Sequence, residues 1–169
     1  MKLLVNRHRR TEYNKIRLEA LSELRAEVDR IASMILAVAH SRANGDTSIR
    51  QNLIQMDCVA ACFVKRYIWI ASNCVDITEE DINNALGKDY NGTTVWVVVN
   101  GDGHIHAEMQ LVEELQCSYH VCRGRHIGVS KPCCKQCAEI LDELGMKYLY
   151  YHEDRVRNWE SPTICNCNS

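Results

Sequence analysis

Between His106 and Tyr151 the chain reads as helix, strand, helix, strand, with links as short as Leu144-Gly145. The helical stretches are His106 to Gln116 and Cys134 to Leu144, and the extended ones are His126 to Ser130 and Met146 to Tyr151. Alternation on this scale admits few architectures. Each helix has to cross back over a sheet to bury its apolar side, which predicts an α/β domain with helices packed on a sheet and some parallel pairing.

The preceding residues supply the rest of such a sheet. From about Tyr13 to Ala43 there is neither Gly nor Pro, and Leu21, Leu24, Val28, Ile31, Ile35 and Val38 recur at steps of three and four, so one long amphipathic helix is expected, stopped by Asn44-Gly45. The stripe spans only about three heptads, which favours packing on a sheet over a coiled coil. "CVAACFV" (Cys58 to Val64) and "YIWIASN" (Tyr67 to Asn73) are apolar and separated by Lys65-Arg66, the pattern of a hairpin. "DITEEDINNALG" predicts a short helix with Thr78 as N-cap and Gly87 as its stop, and "TTVWVVV" follows the turn signal Asn91-Gly92 as a further strand. Five strands in a mixed sheet with helices on both faces are therefore expected.

With 169 residues, 46% hydrophobic and 25% charged, the chain forms one domain (1–169) able to bury a core without staples. Its apolar runs are far too short for a bilayer, and "MKLLVNRHRR" lacks the hydrophobic core of a signal peptide, so the expected location is cytoplasmic, with no membrane partner. In that reducing setting the ten cysteines read as thiols or metal ligands rather than as disulfides. Cys58, Cys62 and Cys74, and with them Cys117 and Cys122, lie in or near apolar runs and are expected as small buried side chains. A net charge of −2 excludes a globally basic nucleic-acid binder and leaves only local patches. One is the basic N-terminal segment (1–12), which continues to Lys15 and Arg17. The other is a looser set: Arg123, Arg125, Lys131, Lys135, Lys147, Arg155 and Arg157. The tail 163–169, "TICNCNS", shows no helix or strand pattern and is expected to be mobile.

Chemistry concentrates at two helix starts. A catalytic zinc takes three protein ligands from Cys, His or carboxylate and keeps a fourth position for water. Cys134 and Cys137, two residues apart at a helix N-terminus, can turn both thiolates toward one Zn2+ ion, where the helix dipole also favours their charged form. His106, opening the preceding helix, is the third ligand. A fourth ligand at Glu108 would close the water position, so Glu108 is expected as the proton shuttle instead.

His106-Ala-Glu108, followed by "KPCCKQC", has the form of a zinc-dependent base deaminase signature. The sequence resembles the cytidine deaminase superfamily. In "HAEMQL", "GVSKPCCKQC" and "YYHEDRVRNWESP" it is similar to the deaminase domains of bacterial polymorphic toxins and their fungal relatives, over roughly Cys58 to Pro162. That resemblance implies a three-layer fold with a mixed five-stranded sheet. It also implies zinc at His106, Cys134 and Cys137 and general acid/base catalysis by Glu108. The implied activity is hydrolytic deamination of cytosine to uracil in single-stranded DNA or RNA, with a free nucleoside or nucleotide as the alternative substrate. A toxin-derived chain would also have an inhibitor or immunity protein as partner. Asn73 falls where many superfamily members contact the sugar of the target nucleotide, although a strand-capping role fits it equally. Trp159 is either a stacking surface for a neighbouring base or a core or lid residue.

Proline commonly precedes the first cysteine ligand directly, which would select Cys133, yet only Cys134 has a cysteine three residues on, so Cys134 is taken and Cys133 is read as a packed thiol. His104 belongs to the loop, and His120 and His126 lack partner spacing. A reading of another class is a non-catalytic module, either a structural zinc closed by Cys133, Cys165 or Cys167, or a redox Cys-x-x-Cys. The redox form leaves His106 and Glu108 without a role.

Overall fold

A computed structural model describes residues 23–42, 58–65, 67–73, 76–87, 94–97, 105–118 and 122–163. The basic N-terminal segment, the first ten residues of the expected long helix, its Asn44-Gly45 stop, Cys74, the Asn91-Gly92 turn, His104, His120, and Cys165 and Cys167 of the tail lie outside the described residues.

Within them the chain forms four helices and a four-stranded mixed sheet. In order these are α1 (residues 23–42), β1 (Val59–Val64), β2 (Tyr67–Ser72), α2 (Glu79–Leu86), β3 (Thr94–Val97), α3 (Ala107–Cys117), β4 (Ile127–Val129) and α4 (Lys135–Glu143). The sheet runs β3-β2-β1-β4. β1 and β2 are the expected hairpin, in register from Val59 opposite Ser72 to Val64 opposite Tyr67, and Lys65 takes φ 57°, the left-handed conformation that a two-residue hairpin turn requires. β4 pairs antiparallel with β1, while β3 pairs parallel with β2. No helix among the described residues is long and apolar enough to cross a membrane.

The expected fifth strand, Met146 to Tyr151, is not continuous. It touches β4 and its extension only through two isolated parallel bridges, His126 to Lys147 and Cys133 to Tyr151. Between them the chain passes through Ser130, Lys131 and Pro132. Proline offers no N–H, and pairing resumes only where the Cys133 amide donates to the Tyr150 carbonyl at 3.1 Å and the His152 amide to the Cys133 carbonyl at 2.9 Å. The ladder is interrupted at the residues that lead into α4.

The period-two alternation of the strands sorts side chains into two cores. Ala60, Cys62, Val64, Trp69 and Ala71 pack with Met109, Leu111, Val112 and Leu115 of α3 and with Leu141 of α4. Val59, Ala61, Ile68 and Ile70 pack with Val28, Ile31 and Ile35 of α1 and with Ile82 and Ala85 of α2. Thr78 caps α2 in a capping box with Asp81, and Asp81 also receives Arg42 at 2.9 Å, tying the end of α1 to the start of α2. Cys62 and Cys122 are buried as expected and Cys58 is half-buried, but Cys117 is exposed. It ends α3 two positions beyond the buried Leu115, which at 100° per residue turns it to the opposite side of the helix.

α1 approaches β4 at Gly128, and the Val129 amide donates to Asp29 Oδ1 at 2.9 Å. A Cβ at Gly128 would fall on the backbone of Val28 and Asp29, atoms that cannot rotate away. Gly128→Ala should therefore destabilise the fold by at least about 1–3 kcal/mol, the usual cost of overpacking. Chemical denaturation, with the midpoint and slope compared to wild type, measures it.

Candidate metal centre

Two helix N-termini meet at one point. His106 is the N-cap of α3 and Cys134 the N-cap of α4, both extended, and neither side chain makes a capping hydrogen bond. Their carbonyls instead start the helices, with the Gln110 amide donating to His106 O at 3.0 Å and the Ala138 amide to Cys134 O at 3.0 Å. Both side chains are thereby left to point at each other, and Cys137, one turn into α4, joins them.

His106 Nδ1 lies 3.5 Å from Cys134 Sγ and 3.3 Å from Cys137 Sγ, and the two sulfurs are 3.4 Å apart. Metal–nitrogen and metal–sulfur bonds of about 2.0–2.3 Å at tetrahedral angles would put such edges at about 3.6–3.8 Å. The triangle is therefore close to the size a metal ion requires, and the three side chains can hold one. Among the described residues no other group of three His, Cys or carboxylate donors is gathered in this way. Cys133 is buried but is not part of the triangle, in keeping with its reading as a packed thiol, and burial drives its pKa upward.

The electrostatics fit a site built for a cation. The Cys134 thiol is pushed well down by its hydrogen bond with Cys137, with His106 assisting against burial, while the same sulfur contact pushes Cys137 up. One thiolate is thus already favoured next to one retained proton, and a bound cation would displace that proton. Hydrogen bonding to Cys134 likewise raises the pKa of His106.

Glu108, in the first turn of α3, is 2% exposed. Burial raises its pKa, and the neighbouring His106, with Nδ1 3.9 Å from Glu108 Oε1, opposes that rise only in part. Its Oε2 is buried without a hydrogen-bond partner, and a buried carboxylate oxygen left unpaired is costly. A polar guest beside the three donors would relieve it.

The structure connects Trp159 to this centre in a way the sequence did not suggest. Its indole N–H donates to Cys137 Sγ at 3.1 Å, and the ring packs on the core shared by α3 and α4. The segment that carries it is held by a reciprocal amide pair: Gln136 Nε2 donates to Val156 O and the Val156 amide to Gln136 Oε1, both at 2.9 Å. Asn73, at the end of β2, is buried, and its Oδ1 accepts the Cys58 amide at 2.7 Å, so it closes the open end of the hairpin beside the site. Two contacts across the hairpin and β4 were equally invisible in sequence. The Val59 amide donates to Ser130 Oγ and the Ser130 amide to the Val59 carbonyl, both at 2.9 Å, anchoring the strand end that leads to Cys134.

An α/β domain with His, Cys and Cys at two helix starts and a buried glutamate beside them is the arrangement on which the comparisons with known proteins bear. Residues 105–163 match a family model described as OTT_1508_deam-like deaminase. The matched stretch includes His106, Glu108, Cys134, Cys137 and Trp159 and is similar to a deaminase, in agreement with the resemblance read from the motifs. No curated protein and no solved structure matches the chain.

Elemental analysis of the purified protein should give close to one metal equivalent. Cys134→Ser and Cys137→Ser should lose it and Cys133→Ser should keep it. Trp159→Phe, which removes the N–H together with part of the ring, should retain the metal but bind it about 10–100-fold more weakly, as when other partners of metal ligands are deleted. Competition with a chromophoric chelator reads that affinity.

Proposed function

We propose that the protein is a zinc-dependent nucleobase deaminase, a hydrolase acting on an amidine C–N bond, which converts cytosine to uracil in single-stranded nucleic acid. The observation that carries this reading is Glu108: a buried carboxyl with an unpartnered oxygen, two residues from His106 and facing a triangle of three donors that leaves a fourth coordination position open. A structural zinc site would close that position with a further ligand, and among the described residues none is there.

The chemistry that zinc supplies when bound is Lewis acidity, which brings the pKa of water down to about 7. Glu108 would accept one proton from the attacking water and deliver it to the ring nitrogen, then take the remaining hydroxyl proton and deliver it to the amine as the C–N bond breaks, so that cytosine and water become uracil and ammonia. Burial suits Glu108 to this work, because a carboxyl whose pKa is raised takes up a proton more readily than one held in bulk water and keeps it until the substrate nitrogen receives it. Trp159 positions the Cys137 sulfur through its N–H. In this reading Asn73 borders the sugar pocket while closing the hairpin. The two core clusters, one on each set of alternating strand residues, support a three-layer arrangement. The setting is cytoplasmic, the partner is single-stranded DNA or RNA, and a toxin-derived chain would add an inhibitor protein.

One observation favours a free nucleoside or nucleotide as substrate. Lys135 and Arg155, which flank the centre in sequence, are each held by a carboxylate, Glu153 at 2.8 Å and Glu139 at 2.7 Å. Less of the nearby positive charge is then open to a phosphate backbone.

Glu108→Gln should keep fold and metal while turnover falls about 10²–10⁴-fold, the usual contribution of a general acid/base group. Substrate class is decided by assaying cytidine, dCMP, a single-stranded oligonucleotide and the matching duplex at two salt concentrations. The polynucleotide reading expects the single strand to be preferred, with activity falling as salt rises. Equal turnover of cytidine without salt dependence would establish the nucleoside reading instead.

A further inference from the structure

The basic residues singled out in the sequence divide in the folded chain. Lys135 and Arg155 are paired near the metal centre, whereas Arg125 and Lys147 lie together at the opposite end of β4. There the Ile127 amide donates to the Lys147 carbonyl at 2.8 Å and the Lys147 amide to the Arg125 carbonyl at 2.7 Å, setting the two residues on adjacent extended segments. α1 adds Arg25. With His126 these side chains line a cavity of about 170 Å3, against Val28 and Phe63.

Three observations distinguish this cavity from ordinary surface charge. Its lining contains Arg25, Arg125, His126 and Lys147 and no Asp or Glu. Among the described residues neither Arg25 nor Lys147 has a carboxylate partner, in contrast to Lys135 and Arg155. The His126 side chain is only 6% exposed, yet both of its ring nitrogens lack hydrogen-bond partners. Its acidic neighbour, Asp29, stands 3.6 Å from Nε2, and the other Asp29 oxygen is engaged by the Val129 amide. Like charges converging on a cavity, together with a buried ring whose polar atoms are unsatisfied, are unfavourable unless an anion completes the arrangement.

We propose that this cavity is a binding site for a phosphate group, held by Arg25, Arg125 and Lys147 with a ring N–H of His126 completing the set of donors. Guanidinium forks match phosphate oxygens, and the Arg125 fork is already oriented by donation from Nη1 to the Phe63 carbonyl at 3.1 Å. A water takes about 30 Å3 of liquid volume, so the cavity accommodates a phosphate and a few waters. Phe63 is four residues along β1 from Val59, about 13 Å of strand, and Val59 is the residue that anchors the end of β4 leading to Cys134. The site is therefore separate from the metal centre and does not depend on Glu108 being catalytic. The phosphate can belong to the backbone of a nucleic-acid strand or to a free phosphorylated small molecule.

The test is titration of the full chain with inorganic phosphate at constant ionic strength, following the ring nitrogens of His126 by NMR with half-buried His152, outside the cavity lining, as control. The expected result is a saturable shift at His126 and none at His152. In Arg25→Gln/Lys147→Gln, both changes at the rim of the cavity, the affinity should fall roughly tenfold or more, with Arg25→Gln alone intermediate and thermal unfolding unchanged. No saturable shift, or equal affinity in the double variant, would overturn the site. An abasic single-stranded oligonucleotide then separates the sources. Saturation at lower concentration than inorganic phosphate identifies backbone phosphates, and failure to shift His126 where inorganic phosphate succeeds identifies a small phosphorylated ligand.

Discussion

The rest of the structure turns on the meeting of two helix N-termini at His106, Cys134 and Cys137. Three donors within 3.3–3.5 Å of one another, next to a carboxyl that is 2% exposed, are an unfavourable cluster for a protein interior without a cation. The fold tolerates it because each side chain is held from behind. His106 and Cys134 start helices through their carbonyls, Cys137 receives the Trp159 N–H, and the helices sit on the core formed by one set of alternating hairpin residues. The scaffold's stability is thereby placed in the packing and the site's tension in the metal position.

The sheet sets the aim of both helices. β1 lies between β2 and β4, and its first residue, Val59, exchanges hydrogen bonds with Ser130, the residue from which the chain turns toward Cys133 and Cys134. Asn73 closes the same end of the hairpin through the Cys58 amide. The interruption of the last strand belongs to the same design. Pro132 breaks the ladder where the chain must leave the sheet to deliver Cys134 to a helix start, and the bridge at Cys133 restores pairing directly afterward.

Charge is distributed unequally along the fold. Cations at the metal end are neutralised by Glu139 and Glu153, while those at the far end of β4 surround a cavity without an acidic residue. A chain whose net charge is only −2 can in this way present a local positive site while remaining nearly neutral as a whole. Gly128 is where these two ends are joined, because α1 can lie close enough to carry Arg25 and Asp29 to β4 only where the strand has no side chain.

Short-range pattern was enough to determine the hairpin, the capped helix at Thr78, the amphipathic α1 and the spacing of Cys134 and Cys137, because periodicity, cap chemistry and Cys-x-x-Cys spacing are all written within a few residues, whereas His106 was joined to them through the longer motif. The choice of Cys134 over Cys133 likewise rested on spacing alone, and the triangle contains Cys134. What only the tertiary structure decided depends on residues far apart in the chain. The isolated bridges in place of a fifth strand, the exposure of Cys117, the Trp159 N–H on Cys137, the pairing of Lys135 and Arg155, and the gathering of Arg25, Arg125, His126 and Lys147 all arise from contacts that no local pattern encodes. A hydrogen bond or an ion pair depends on where two backbones are brought together, and that is settled by the packing of the whole domain.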